Sequence, residues 1–215
     1  MTAQFHYPAN RESASAARVR ALEALLIEKG VITETTVEKV LSYFESEMTP
    51  LNGAKIVARA WTDPAFAERL LADTPAAIAE LDLPIGMAGA EGEHLQAVAD
   101  TPEVHNLIIC SLCSCFPWPV LGLPPYWYKD PTFRARAARE PRAVLEELGL
   151  ALSPSVELRV WETSGHSRWF VVPERPSGTE GMTETELASL VTTESMIGVA
   201  AVNAARPTTS ERSPR

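Results

Sequence analysis

Residues 110–115 read CSLCSC and hold all three cysteines of a 215-residue chain. Thiolates are strong metal donors, and C-x-x-C is a common chelating turn. Ser111 and Leu112 are the spacers that let Cys110 and Cys113 converge. Cys115 follows two residues after Cys113. Both of those sulfurs reach one ion only if the peptide between them curls tightly around it. The amide nitrogens of Ser114 and Cys115 then come close enough to ligate as well.

Other uses of three thiols compete with that one. A structural zinc site needs a fourth ligand, and there is no fourth cysteine. The histidines are His6, His94, His105 and His166. On an extended strand His105 faces away from Cys110, because their separation is odd; His94 or His166 could arrive through folding. An iron–sulfur cluster meets the same shortage. A C-x-x-C redox dithiol leaves Cys115 unexplained. An odd count of closely spaced cysteines is a poor disulfide framework. Three in six residues, with none elsewhere, also argues against inert buried thiols.

The elements around the cluster follow from periodicity and punctuation. Ser13 to Lys29 carries Val19, Leu22, Leu25 and Leu26 at helical spacing, with Gly30 as its stop. Thr33 and Glu34 open a second helix, and Pro50 opens a third that runs towards Trp61. Thr62 or Asp63 caps a fourth helix with Pro64 in its first turn, and DTPAAIAEL at 73–81 repeats the device. LPIGMAGAEGE, 83–93, reads as a loop. HLQAVAD and VHNLIIC then read as strands around the turn TPE. Four prolines between 117 and 125 argue against regular helix or central strand there. PRAVLEELGL is a short helix ending at Gly149, SVELRVWET and RWFVVPER pair as a hairpin, and TETELASLV is a last short helix.

These elements predict an α+β protein: a helical N-terminal arm over 1–82, a layered α/β metal-binding domain over 83–205 and a tail over 206–215. The α-β-β-α layering places the cysteines where a strand runs into a proline-stiffened loop. The net charge of −9 argues against nucleic acid and anionic lipid as partners. No run of about 18 apolar residues occurs, so no membrane span is expected. MTAQFHYPANRES lacks the basic and apolar regions of a signal peptide, and a cytoplasmic protein is the expectation.

The stretch CSLCSCFPWPVLGLPPYWYKDPTFRARAAREPR, 110–142, resembles the metal-binding region of the nitrile hydratase α subunit. The resemblance runs strongly from Gly89 to Val199 and weakly through the N-terminal helices. It implies a low-spin iron(III) or cobalt(III) ion held by the sulfurs of Cys110, Cys113 and Cys115 and by the deprotonated amides of Ser114 and Cys115. A sixth position is left for water or substrate. It further implies a sulfinate at Cys113 and a sulfenate at Cys115, successive steps of thiol oxidation. Oxidised sulfurs donate less, which restores Lewis acidity for hydrating a nitrile to an amide. The attacking oxygen is either that of a metal-activated water or that of the Cys115 sulfenate. In the family, arginines of a separate β subunit neutralise the oxidised sulfurs, so this chain resembles half of an αβ or α2β2 enzyme, with a separate activator protein for metal insertion.

By the same resemblance Glu91 and Ser111 fall around the ligands, and Trp118 lines the substrate pocket or packs the core. Ser111 and Ser114 orient sulfur or amide ligands. Arg134, Arg136, Arg139 and Arg142 read as a solvated or interface helix face. Ser111 follows the family's iron branch, whereas Phe116 and Glu91 follow its cobalt branch; iron is the expectation and cobalt the alternative. Two other readings stay open, a subunit like that of thiocyanate hydrolase and a non-catalytic metal or redox module.

Overall fold

The computed structural model describes residues 14–83, 94–110, 116–164 and 167–204. The chain divides into two compact units, Met1–Glu47 and Met48–Arg215. The first contains α1 (Ala14–Glu28) and α2 (Glu34–Ser46). Gly30 adopts the left-handed φ of 67° that ends α1, and the Thr33 hydroxyl accepts from the Thr36 amide to start α2.

In the second unit three helices come first: α3 (Pro50–Thr62), α4 (Pro64–Ala72) and α5 (Thr74–Ala79). Each begins with a proline in its first turn and a side-chain oxygen on an otherwise unpaired amide. Thr49 caps α3, Asp63 caps α4 and Asp73 caps α5. Such a cap is worth about 1 kcal/mol. The sequence grouped these helices with the arm. They pack instead with the strand-bearing unit, where Ile56, Val57, Phe66 and Leu70 are buried.

Four strands follow, β1 (Leu95–Ala99), β2 (Val104–Cys110), β3 (Glu157–Thr163) and β4 (Arg168–Val172). β1 pairs with β4, and β2 with β3, both in parallel. The expected β3–β4 hairpin is therefore wrong. Burial explains why. β4 is buried at four of its five positions, whereas β3 has one buried residue in seven. Strands with such different surroundings do not share one half-solvated antiparallel ribbon. Each parallel pair joins strands far apart in sequence, as parallel pairing requires. Trp161 of β3 and Trp169 of β4 lie with ring centroids 4.4 Å apart, tying the two sheets together.

Between β2 and β3 lie α6 (Trp118–Leu121), a 3-10 turn at Tyr126–Lys129, α7 (Pro131–Arg139) and α8 (Pro141–Glu147). The proline-rich run does contain one turn of helix, contrary to expectation. Pro119 sits in its first turn, where the missing amide leaves no hydrogen bond unmade. After β4 come α9 (Glu184–Ala188) and a further short helix, α10 (Thr193–Met196), that periodicity did not reveal. Both carry capping boxes. The result is a mixed helix-and-strand fold with, among the described residues, two open two-stranded sheets and helices against them, in line with the α+β class expected.

Candidate metal centre

Cys110 is the last residue of β2 and is 1% exposed. Its strand is held on both edges. β3 pairs with it from Val104 to Cys110, and on the other side the Ile108 amide donates to the Ile197 carbonyl at 2.9 Å. Thr163 stands beside Cys110 in the β2–β3 register, fully buried, with its hydroxyl donating to the Ile109 carbonyl at 3.2 Å.

The start of the same strand is fastened by a polar network. The Asp100 carboxylate accepts the Asn106 backbone amide at 2.8 Å and its side-chain amide at 2.9 Å. The Asn106 side chain also donates to the Ala99 carbonyl, and its oxygen accepts the Trp161 indole N–H at 2.8 Å. His105 lies between Asp100 Oδ2, 3.3 Å from Nδ1, and the Gly198 carbonyl, 2.8 Å from Nε2. Burial alone lowers the affinity of this imidazole for a proton. The Asp100 carboxylate and the Gly198 carbonyl outweigh that and raise it above the ordinary value. With both ring nitrogens engaged there, His105 is not a fourth ligand for the cysteines.

On the far side of the cluster the chain is equally fixed. Phe116 is 1% exposed and meets Tyr128 edge-on at 5.4 Å. The Tyr128 hydroxyl donates to the Ile108 carbonyl at 2.9 Å, which anchors the 3-10 turn to β2. Burial pushes the Tyr128 phenol well up, and the neighbouring Cys110 adds to this, so it remains a neutral donor. Asn52 of α3 donates to the Pro119 carbonyl at 2.9 Å. Gly53 lies so close to α6 that a β-carbon there would sit 2.4 Å from the Val120 carbonyl. Cys110 and Phe116 thus bracket residues 111–115 from two rigid, buried positions.

Lys129 was not singled out from the sequence. Its ammonium lies 3.4 Å from Cys110 Sγ and 5.5 and 5.7 Å from the ring centroids of Phe116 and Tyr128. The signal available was a single cation within the aromatic run YWYKD. A partly buried ammonium is best compensated by a sulfur that carries charge, as a metal-bound thiolate does. The donor set at Cys110 therefore fits the expected metal.

Glu91, Ser111, Cys113, Ser114 and Cys115 lie outside the described residues, as does His166. Trp118 is half-buried at the head of α6. Arg136 forms a bidentate pair with Glu147 and also reaches Glu140, joining α7 to α8, while Arg142 donates to the Ser153 and Val156 carbonyls. These two arginines tie α7, α8 and the approach to β3 together. Among the described residues no group of three or more His, Cys, Asp or Glu gathers elsewhere to hold a metal.

A mixed α+β chain with a cysteine cluster at the end of a buried parallel strand is the scaffold of a metal-centre subunit. Comparison with known proteins gives the family. The family model for the nitrile hydratase alpha chain matches residues 13–200, and the chain belongs to that family. It is 52% identical over 184 residues to the low-molecular weight cobalt-containing nitrile hydratase subunit alpha of Rhodococcus rhodochrous, covering 86% of this chain and 87% of that one. A double mutant of the Fe-type nitrile hydratase from Comamonas testosteroni Ni1 superposes with a TM-score of 0.80 at 39% identity, covering 96% of this chain and 98% of that one. The thiocyanate hydrolase subunit gamma of Thiobacillus thioparus is more distant, at 37% identity over 200 residues, covering 87% and 82%.

Proposed function

We propose that this chain is the metal-bearing α subunit of a nitrile hydratase, which adds water across R–C≡N to give the amide. The observation that carries the proposal is the CSLCSC cluster starting at the buried end of β2, in a chain 52% identical to a nitrile hydratase α subunit. Cys110, Cys113 and Cys115, with the amides of Ser114 and Cys115, would hold one trivalent ion, which supplies Lewis acidity when bound. Ser111 supports iron; the cobalt-containing relative supports cobalt. Cys113 is proposed as a sulfinate and Cys115 as a sulfenate, which makes these two residues and Ser114 the reacting part of the site. Ser111 and Glu91 hold sulfur, water or a partner group by hydrogen bonds, and Trp118 borders the substrate.

Two oxidised sulfurs bring negative charge, while Arg136 and Arg142 are engaged by Glu140, Glu147 and the Ser153 and Val156 carbonyls. A β subunit supplies the missing cations, in an αβ or α2β2 enzyme, after an activator protein has inserted the metal. No helix among the described residues is long and apolar enough to cross a membrane. A cytoplasmic enzyme acting on small nitriles is the setting proposed.

Co-expression with the neighbouring gene products tests this. The purified complex should hold one iron or cobalt per chain and form acrylamide from acrylonitrile. Peptides spanning 110–115 should carry added oxygen on Cys113 and Cys115 but none on Cys110. Stoichiometric zinc, or metal-loaded protein that leaves nitriles untouched, refutes it. The 37% identity to a thiocyanate hydrolase subunit motivates thiocyanate as the second substrate to assay.

A further inference from the structure

We infer that Lys129 is a positioning residue for the metal centre, acting through Cys110. This rests on the proposed function, because it assigns Lys129 a role towards the ion that Cys110 would hold. The ammonium is 3.4 Å from Cys110 Sγ, within hydrogen-bond range for sulfur. It lies near the faces of Phe116 and Tyr128, and both rings are essentially fully buried. The rings are themselves fixed, Tyr128 by its hydroxyl on the Ile108 carbonyl and Phe116 by its edge-on contact with Tyr128. Lys129 ends the 3-10 turn and Asp130 caps the next helix, so its backbone is held on both sides. A rigid aromatic frame thus holds the ammonium against Cys110 Sγ.

A charged N–H donor on a ligand sulfur draws electron density from the lone pairs that would bind the metal. Such hydrogen bonds orient ligands and tune the metal they hold. Within the proposed site, Cys113 and Cys115 lose donor strength by oxidation. Cys110 stays a plain thiolate, and Lys129 moderates it without covalent change. Cys110 would otherwise be the strongest sulfur donor of the three and would blunt the Lewis acidity on which nitrile hydration depends. Lys129 is assigned to act through Cys110 Sγ, so its effect should appear in turnover rather than in substrate binding.

The test compares wild-type, Lys129→Met and Lys129→Arg complexes, each co-expressed with the partner subunit and loaded with metal. Removing the cation raises the energy of the sulfur lone pairs. The sulfur-to-metal charge-transfer band of Lys129→Met should therefore move to longer wavelength. Its kcat should fall about 10–100-fold while KM stays within about twofold. Lys129→Arg should return the band most of the way to the wild-type position. If Lys129→Met does not fold, Lys129→Gln replaces it, with the same expectations. Arg136→Gln, which breaks the bidentate pair with Glu147, serves as a structural control: it should lower the melting temperature and leave the band in place. A loaded Lys129→Met enzyme with an unshifted band overturns the inference, whether or not its stability or metal content has dropped, and leaves the nitrile hydratase reading intact. A wild-type complex that holds neither iron nor cobalt overturns both, and that failure is visible in the control before any variant is compared.

Discussion

Asn106 is 1% exposed, and both polar atoms of its side chain are hydrogen-bonded inside the protein. Its side chain joins Ala99 and Asp100, at the end of β1, to Trp161 of β3. Asn106→Leu keeps the volume and leaves the Trp161 indole N–H and the Ala99 carbonyl without these partners. A loss of about 2–4 kcal/mol is expected, since buried polar groups are costly to leave unmatched. Urea denaturation with an unchanged m-value would register it, and a loss under about 1 kcal/mol would show that water substitutes for the side chain. Cys110 poses a different question. Cys110→Ser alters volume little, so the fold should persist, yet a neutral hydroxyl donates far less charge to a trivalent ion than the thiolate it replaces. Elemental analysis of the complex should find well below one metal per chain; full occupancy would remove Cys110 from the ligand set.

At the level of elements, the joint between β2 and the segment after α10 governs how the cluster's strand is held. Gly198 has φ of 81°, and a β-carbon there would lie 1.8 Å from the Asn106 carbonyl oxygen. Gly198→Ala should destabilise the protein by at least about 3 kcal/mol, through backbone strain and a clash with main chain that cannot move aside. A thermal melt within a degree or two of wild type would contradict that. The same joint responds to pH through His105. Its affinity for a proton is raised in the folded state, so its stabilising contribution is complete below the ordinary imidazole value of 6.5 and fades as pH climbs through the higher folded value. Asp100 favours the charged ring and Arg142 opposes it. The stability difference between wild type and His105→Gln should therefore be largest near pH 6 and shrink by pH 8.5; a difference independent of pH would show that His105 acts by packing alone. Some of this architecture was legible in advance. Asp63, Asp73 and Thr33 announce helix starts because capping is local chemistry between neighbours. The signature CSLCSC was legible for the same reason. Strand pairing was not, because VHNLIIC and RWFVV look alike in a short window while their partners are set by burial elsewhere. Lys129 escaped notice because its approach to Cys110 depends on how a 3-10 turn docks on a strand 19 residues away.

On the scale of the whole chain, the first unit presents apolar side chains to solvent. Val19 is 63% exposed, Leu22 56% and Leu25 44% on α1, with Val40 and Leu41 half exposed on α2. No residue of α2 is buried. Apolar surface of this kind is a mark of protein association, and it agrees with an arm that engages the proposed partner. Leu22→Glu combined with Leu25→Glu should change the stability of the chain by no more than about 0.5 kcal/mol, as exposed substitutions do. Co-purification of the partner subunit should fall at least tenfold, and undiminished recovery would place the interface elsewhere. The edge contact between Ile108 and Ile197 reaches further, into the order in which the molecule can be made. His105 and Gly198 touch across 93 residues of sequence, and β3, the other neighbour of β2, also follows the cysteines in the chain. During synthesis the thiols emerge long before the segments that will enclose their strand. Contacts of such long range form late. Cys110 gains its parallel neighbour strand only after Thr163 has been made, and its opposite edge only after Ile197 and Gly198 have followed. The metal loading and sulfur oxidation proposed for this chain would therefore belong to its life after translation.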